Sequence, residues 1–547
     1  MVHHINEKMS TTTRALLCRD ITESIFRHLT PCRIPDSDNK VPPNALRQRR
    51  TSQKALACAA RTCRALTDPA LNVLWESVDD VVYLLLLFPS FLLTGGRYDT
   101  NVFMFSKPIT EGEWAYFHKF AARVRELQVS GNASQGLNRV EDSTWCTLAR
   151  HPLNGPLFPR IERLVNLRFS SPITSITQFS LFLSPCLRHV GLDMSVYTTR
   201  IFPPEQVTMF ILEVASIVSQ LESLTIRGDD ILGLEFWKLS SLHRLTVEPP
   251  SRPTRSIIQS LMGFKHLRSL SMHLTGETYS LDNEAMGEGF LQLRELHLSG
   301  SSDKIRSLLI ISAPPSLESL DMEMRYESQD EQGDRRVDDL SFIYAILPPS
   351  MRCFRVVFHN THLPRIRYAE WTHSPAFFDN LGSLPANIRR LSFHFYNLYA
   401  YVKDEHLQAF KATWPGLTAF MFTYGQKIRD LIPTEIVMTA PKVSTIAAFA
   451  TNHPRLAQLA LPAISCQSCS IPPLLDLPVA AHVKLITVPD FEPDDGLYEL
   501  AVALDRLFPN LQLDSVDWEE TRAGVLKILL LGLQTGRRSV AGTVHGG

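Results

Sequence analysis

The residues best equipped for chemistry are few and scattered. Cys466-Gln-Ser-Cys469 has the two-residue gap of a zinc knuckle or a redox pair. A structural zinc site takes four ligands, and no second pair stands at a suitable spacing, so the segment reads as an exposed loop without metal. Cys58 and Cys63 fall on or beside the apolar face of a helical stretch and read as core. The 18 histidines are dispersed without an HExxH pair, and neither GxxxxGK[ST] nor GxSxG occurs. Gly287-Glu-Gly-Phe290 is too short to cradle a phosphate, and Asp330–Asp339 reads as a solvated loop. The terminal His-Gly-Gly has nothing upstream to give it meaning. The expectation is a protein that is not an enzyme and holds no cofactor.

The bulk of the chain must therefore carry its function. Its 547 residues are 44% hydrophobic and 20% charged, enough to bury a sizeable core. With 55 basic and 56 acidic residues the net charge is -1, which argues against nucleic acid as the main ligand. Nine cysteines without framework spacing suit reduced thiols in a cytoplasmic or nuclear setting. The N-terminus has no apolar segment before a cleavage site. The longest apolar run, Val81–Leu93, contains Pro89 and is too short to span a bilayer. No membrane is expected as a partner.

Three helices are predicted early. Residues 1–13 are polar and read as a flexible tail. Leu17, Ile21, Ile25 and Leu29 then recur four apart with Phe26 beside them, one apolar stripe on a helix that Pro31 stops. Residues 32–50, rich in proline and charge, read as a flexible insert. Leu56, Ala59, Ala60, Cys63 and Leu66 line a second helix. Asp68 is a candidate N-cap with Pro69 at the first position of a third, lined by Leu71, Leu74, Trp75 and Val78. Residues 81–122 read as connecting helices and linker, with a flexible connection around 94–112.

From residue 123 to about 535 one phrase recurs. LESLTI begins at Leu221, LHRLTV at Leu242, LRSLSM at Leu267, LRELHL at Leu293 and LESLDM at Leu317, at spacings of 21, 25, 26 and 24 residues. Looser copies begin at Val124, Leu164, Leu187, Met351, Ile388, Leu417 and Leu456. Proline repeatedly comes just before the phrase, as in PPSLESL, PPSMRCF and HPRLAQL. Each unit reads as helix, proline stop, short strand, with alternate residues facing inward. The phrase and period resemble leucine-rich repeats, which stack strand-plus-helix units so that neighbours bury each other's core. The expected fold class is an α/β repeat: a short all-α unit, then an irregular solenoid with a parallel concave sheet and a flexible tail at 536–547.

The N-terminal segments LLCRDITESIFRHL and ALACAARTCRALTDPALNVLW resemble an F-box, and the combination is similar to fungal F-box proteins. Cys18 stands where that motif usually has proline, and the insert at 32–50 lengthens it. The resemblance implies a substrate receptor of a Skp–cullin–F-box ubiquitin ligase. Residues 14–80 would dock on the Skp-family adaptor, and through it the cullin, and the repeats would hold a protein substrate. By analogy Leu16, Leu17, Ile21, Ile25, Leu29, Leu56, Cys63, Leu66 and Trp75 are adaptor-interface candidates. The outward residues of the repeat strands supply substrate candidates: Arg227, Arg244, Glu248, His273, Glu295, His297, Asp321 and Glu323. An alternative is a leucine-rich-repeat scaffold or inhibitor, in which the F-box-like helices cap the first repeat and bury the Leu17–Ile21–Ile25 stripe.

Overall fold

The computed structural model describes residues 18–31, 43–95, 101–128, 138–150, 155–168, 180–193, 204–228, 238–248, 255–274, 289–326, 340–360, 380–396, 402–424, 440–465, 477–487, 490–491, 496–513 and 522–544. The chain forms two compact units, Met1–Ser260 and Leu261–Gly547. Cys466–Cys469 lies outside the described residues.

The first unit opens with helices α1 (Arg19–Arg27), α2 (Pro43–Thr62) and α3 (Arg64–Leu74). Phe26, Leu56, Ala70 and Val73 form their buried core, with Ala59, Ala60, Leu66 and Leu74 packed against it. Two expectations are corrected here. Residues 43–50, assigned above to a flexible insert, are the first turns of α2. Pro43 takes the first helical position, where its missing N–H costs nothing. The break between α2 and α3 falls at Cys63, in extended conformation, rather than at Asp68; Pro69 lies inside α3. The Cys63 carbonyl accepts the N–H groups of Leu66 and Thr67, and the Thr67 hydroxyl reaches back 2.8 Å to the Ala60 carbonyl near the end of α2. A side chain thus satisfies one of α2's orphan carbonyls.

After α3 come β1 (Ser77–Val78), α4 (Val81–Leu85), β2 (Phe91–Gly95), β3 (Asn101–Phe105), α5 (Glu111–Ala121), β4 (Glu126–Gln128), β5 (Asn138–Val140) and α6 (Asp142–Arg150). Then follow β6 (Arg163–Arg168), β7 (His189–Asp193), α7 (Pro204–Ile217), β8 (Ser223–Arg227), β9 (Arg244–Glu248) and α8 (Arg255–Met262). Strands β1, β4, β6, β7, β8 and β9 pair in parallel, each with the next. β2 and β3 pair antiparallel, and β5 joins β3 in parallel, making a small separate sheet. The expected flexible connection at 94–112 is therefore corrected: it contains β3 and the start of α5. A reciprocal cap fixes that start, with Thr110 N donating to Glu113 Oε2 at 2.8 Å and Glu113 N donating to Thr110 Oγ1 at 3.3 Å.

The second unit contains β10 (Ser269–Leu274), β11 (Glu295–Gly300), α9 (Ser302–Ser312), β12 (Ser319–Tyr326), α10 (Ser341–Ile346), β13 (Cys353–Asn360), β14 (Arg390–Tyr396) and α11 (Asp404–Ala409). It continues with β15 (Ala419–Tyr424), α12 (Val443–Asn452), β16 (Gln458–Ala460), β17 (Ala463–Ile464), β18 (Leu485–Thr487), β19 (Asp490–Phe491), α13 (Leu497–Leu507) and α14 (Arg522–Val544). Strands β10 to β16 and then β18 pair in parallel. α14 runs through the segment expected to be a tail after residue 535. Each unit is thus a repeat-like α/β array of parallel strands.

The phrase explains the packing. Its first, fourth and sixth residues are buried in copy after copy: Leu293, Leu296 and Leu298; Leu317, Leu320 and Met322; Met351, Phe354 and Val356. The fourth residues stand in one register row, Leu296–Leu320–Phe354–Leu391–Phe420–Leu459–Ile486. Burying each such side chain contributes about 2 kcal/mol. Helices cover this row, with Tyr344 of α10 edge-on to Phe354 and Phe449 of α12 edge-on to Phe420. Gly300 ends β11 with φ +151°, where a Cβ would lie 2.5 Å from the Leu274 carbonyl oxygen.

Proline has a sharper role than a helix stop. In most copies it is the second residue of a tight turn whose fourth N–H belongs to the phrase's first residue, as in Met351 N to Pro348 O (3.1 Å) and Leu456 N to His453 O (2.9 Å); before Ile388 it is the first. Proline's fixed φ is pre-set for the second place. The third turn residue often ties back to the preceding repeat: Ser350 Oγ donates to Leu317 O at 2.9 Å, and Asn387 Nδ2 to Pro349 O at 2.9 Å.

One buried polar cluster joins the helices to the first ladder. Arg49 of α2, almost fully buried, clamps Asp79 with both arms and donates to Ser77 Oγ at 3.2 Å; Gln53 adds a bond to Asp79 at 3.3 Å. Beside it Asp80 caps α4, accepting from Val82 N at 2.9 Å. Burial lifts Asp80 to about 6, the Val82 N–H opposes that rise, and the charge of Asp79 adds to it. A folded-state pKa above the ordinary 3.8 means the folded chain favours the neutral acid. This group's stabilisation is therefore complete below about pH 4 and lost as pH rises through about 6. Asp80→Asn keeps a capping acceptor. It should raise the melting temperature at pH 7 and flatten its fall across that window; no rise at pH 7 would contradict the assignment.

Candidate functional site

Two surfaces gather the sequence's site candidates. The first is α1. Its nine residues place Thr22 and Phe26 toward the helical core, and Thr22 Oγ1 bonds the Cys18 carbonyl at 3.1 Å. Ile21, Ile25 and Leu29 lie on the other side, 44%, 48% and 36% exposed. Leu16 and Leu17 lie outside the described residues. Leu56 is corrected from interface to core, because it is wholly buried among Phe26, Ala70 and Val73. Cys63 is exposed at the α2–α3 break, and Leu66 is half-buried against the core. Trp75 is half-buried with its ring 5.2 Å from Phe120, so it packs inward on α5.

The second surface is the polar face of the strands. In the first unit Ser223 stands opposite Arg244, and Arg227 opposite Glu248. In the second unit three register rows matter. Glu295, Ser319, Cys353 and Arg390 form one; His297, Asp321, Arg355 and Ser392 the next; Ser299, Glu323, Val357 and His394 the third. The two carboxylates at the centre each hold two partners. Asp321 Oδ2 meets Arg355 Nη1 at 3.0 Å and His297 Nδ1 at 3.4 Å. Glu323 Oε1 meets His359 Nε2 at 3.2 Å and Arg325 Nη2 at 3.4 Å. His359 lies flat on Tyr396, ring centroids 4.7 Å apart and 2° from parallel.

His273 is corrected from an available ligand group: it is 2% exposed, and its Nδ1 bonds the buried Ser299 hydroxyl. Burial, reinforced by Arg325, pushes its pKa down to about 4. Burial also pushes His394 down to about 4, where Thr423 and Ser392 hydrogen-bond its two ring nitrogens. His359 is lowered by burial against the opposing pull of Glu323. Burial raises Asp321, but the bond and charge from His297 and the charge of Arg355 outweigh it, so its carboxyl sits below the usual range. The lowered pKa values leave His273, His359 and His394 uncharged at neutral pH, beside two clamped carboxylates, Arg325 and Arg355. Asp321 and Glu323 are each paired with an arginine, which leaves this face polar. Among the described residues no group of three or more His, Cys, Asp and Glu is placed to hold a metal.

Arg325, Arg355, His359, His394 and Tyr396 were missed in the sequence. The signal was present, because carrying the outward positions into the looser copies at Met351 and Ile388 yields Arg355 and His394. Arg49 and Asp79 had no such signal; 30 residues separate them.

No family model matches the sequence, and no curated protein matches it. Among solved structures, a protein from Bacteroides fragilis aligns at 12% identity and a TM-score of 0.23. The match covers 47% of this chain and 64% of that one, and at that score it carries no argument. No helix among the described residues is long and apolar enough to cross a membrane.

Asp321 provides the test of this site. Its depressed pKa means that its ionised, clamped form stabilises the fold above the ordinary carboxylate range, and that this contribution is lost as pH falls through the folded value. Asp321→Asn should cost about 1 kcal/mol at pH 7, discounted for partial exposure, and nothing once both forms are neutral in acid. An equal loss at both pH values, by chemical denaturation, would show that the carboxylate charge is not what matters.

Proposed function

We propose that this chain is the substrate-recognition subunit of a Skp–cullin–F-box ubiquitin ligase, acting in the cytoplasm or nucleus. In this reading α1 docks on the Skp-family adaptor, which carries the cullin, and the polar strand face holds a protein substrate. The observation that carries it is the stripe of Ile21, Ile25 and Leu29. These aliphatic side chains stay in water while the three-helix core closes without them. Burying each against a partner would contribute up to about 2 kcal/mol, the economy of a helix-in-groove interface. The mixed charges of the strand face suit a protein ligand better than an apolar one.

A second reading has its own support. Arg49 grips Ser77 and Asp79, and Arg123 binds Asp68 at 2.7 Å, so α2 and α3 are fastened to the start of the first ladder. That arrangement suits a cap on a scaffold or inhibitor. The two readings divide over α1, since a cap that buried the stripe would leave no exposed isoleucines.

Replacing Ile21 and Ile25 by aspartate tests the choice. Both positions are exposed, so the double variant should melt within about 2 °C of the parent, as surface changes do. A charge carried into an apolar interface is costly, so adaptor binding should fall by about a hundredfold or more, measured by calorimetry. A parent chain that binds no Skp-family adaptor, with a variant that aggregates or melts early, would favour the scaffold.

A further inference from the structure

The second residue of each phrase carries a charge in most repeats, and the structure brings these residues side by side. In the first unit they run Arg125, Glu162, Arg188, Glu222 and His243, the first four alternating in sign. The copy expected to begin at Leu164 begins at Ile161, because Leu164 stands opposite Leu127, the fourth residue of the copy before it. Arg125 pairs with Glu162 at 3.1 Å and Arg188 with Glu222 at 3.1 Å. In the second unit the order is Arg268, Arg294, Glu318, Arg352, Arg389, Thr418, Ala457, Lys484, Gln512. Glu318 there is shared by Arg294 (3.5 Å) and Arg352 (3.6 Å). Signs alternate only from Arg294 to Arg352: Arg268 and Arg294 are like charges, and after Arg352 Arg389 stands where another glutamate would continue the alternation. Arg390 follows it, beside Cys353 in the register.

Arg352, Arg389 and Arg390 are all exposed, and neither Arg389 nor Arg390 has a carboxylate partner among the described residues. Their closeness is visible at Cys353. Burial pushes that thiol up, while the charges of Arg390, Arg389 and Arg352 all pull it down. The backbone makes the strip rigid, since the Arg352 carbonyl accepts the N–H groups of Arg389 at 2.7 Å and Arg390 at 3.0 Å. The fold itself shows what such arginines take, because every ion pair in this row seats a carboxylate between neighbouring repeats.

We infer that the strip of Arg352, Arg389 and Arg390 binds a peptide segment rich in aspartate and glutamate, whose carboxylates take the place of the missing partner in the row. This deepens the reading of the strand face as a substrate surface and names its ligand chemistry. Charge complementarity selects the ligand: the strip carries three arginines against the single shared Glu318. The near-neutral chain as a whole speaks against a nucleic-acid ligand.

The test uses the full chain without adaptor, so its outcome is independent of the α1 docking assay. A fluorescein-labelled glutamate–serine repeat peptide should bind, more weakly at high salt, and the glutamine–serine counterpart should not. Arg389→Glu restores the Arg–Glu–Arg–Glu alternation, so it should melt no lower than the parent while weakening the acidic peptide about tenfold or more. Arg390→Gln, at an exposed position without an ion pair, should weaken it several-fold by the same loss of a charged contact. A parent chain that does not distinguish the two peptides would overturn the inference, as would two variants that bind like the parent. Tighter binding of an RNA oligomer or a phosphoserine peptide of equal charge would overturn the carboxylate assignment.

Discussion

Within each unit, neighbouring repeats meet at a shared carbonyl at the start of the strand. The second residue of the phrase accepts two backbone N–H groups from the second and third residues of the following copy: Arg188 from Glu222 and Ser223, Glu318 from Arg352 and Cys353, Thr418 from Ala457 and Gln458. This doubled acceptance fixes where each strand begins relative to its neighbour. A one-residue slip would move every buried leucine to the polar face, so the apolar row and the shared carbonyl enforce the same register. The spacing between copies can then vary without disturbing the ladder. That tolerance explains how copies separated by more than thirty residues still fall in line.

The side chains at the same position give the row its electrostatics. In the first unit arginine and glutamate alternate and neutralise each other at the surface, where each pair adds little to stability. In the second unit the alternation breaks and positive charge accumulates around Cys353. A residue whose backbone is needed for register is free to vary in side chain. The ladder of each unit can therefore carry different surface charge without a change of register.

The helical unit follows a different logic. Arg49 is buried beside Asp79, and breaking such a pair by removing one partner typically costs about 3–5 kcal/mol because a charge is stranded. The contact ties α2 to the first strand, and the Trp75–Phe120 ring contact ties the end of α3 to α5. With two helices committed to the ladder, α1 is left with one face buried and one apolar face in water.

The sequence by itself determined the local elements. The periodicity of Leu, Ile and Phe named the helix stripe of α1, and the LxxLxL phrase named the strands and their inward residues, because both periods follow from backbone geometry alone. Two copies escaped even so: Val483 begins VKLITV, and Leu511 begins LQLDSV, whose fourth residue is aspartate; their backbones join the ladder through Lys484 and Gln512. Tertiary structure alone decided which polar residues stayed at the surface and which became core. His273 and His297 occupy outward positions in adjacent strands, yet the first is buried on Ser299 and the second stays half-exposed beside Asp321. Likewise Arg49 belongs to a stretch whose proline and charge look like loop, and only its encounter with Asp79 makes it helical core. Periodicity records which face a residue takes, but burial and pairing depend on what the rest of the chain brings against that face.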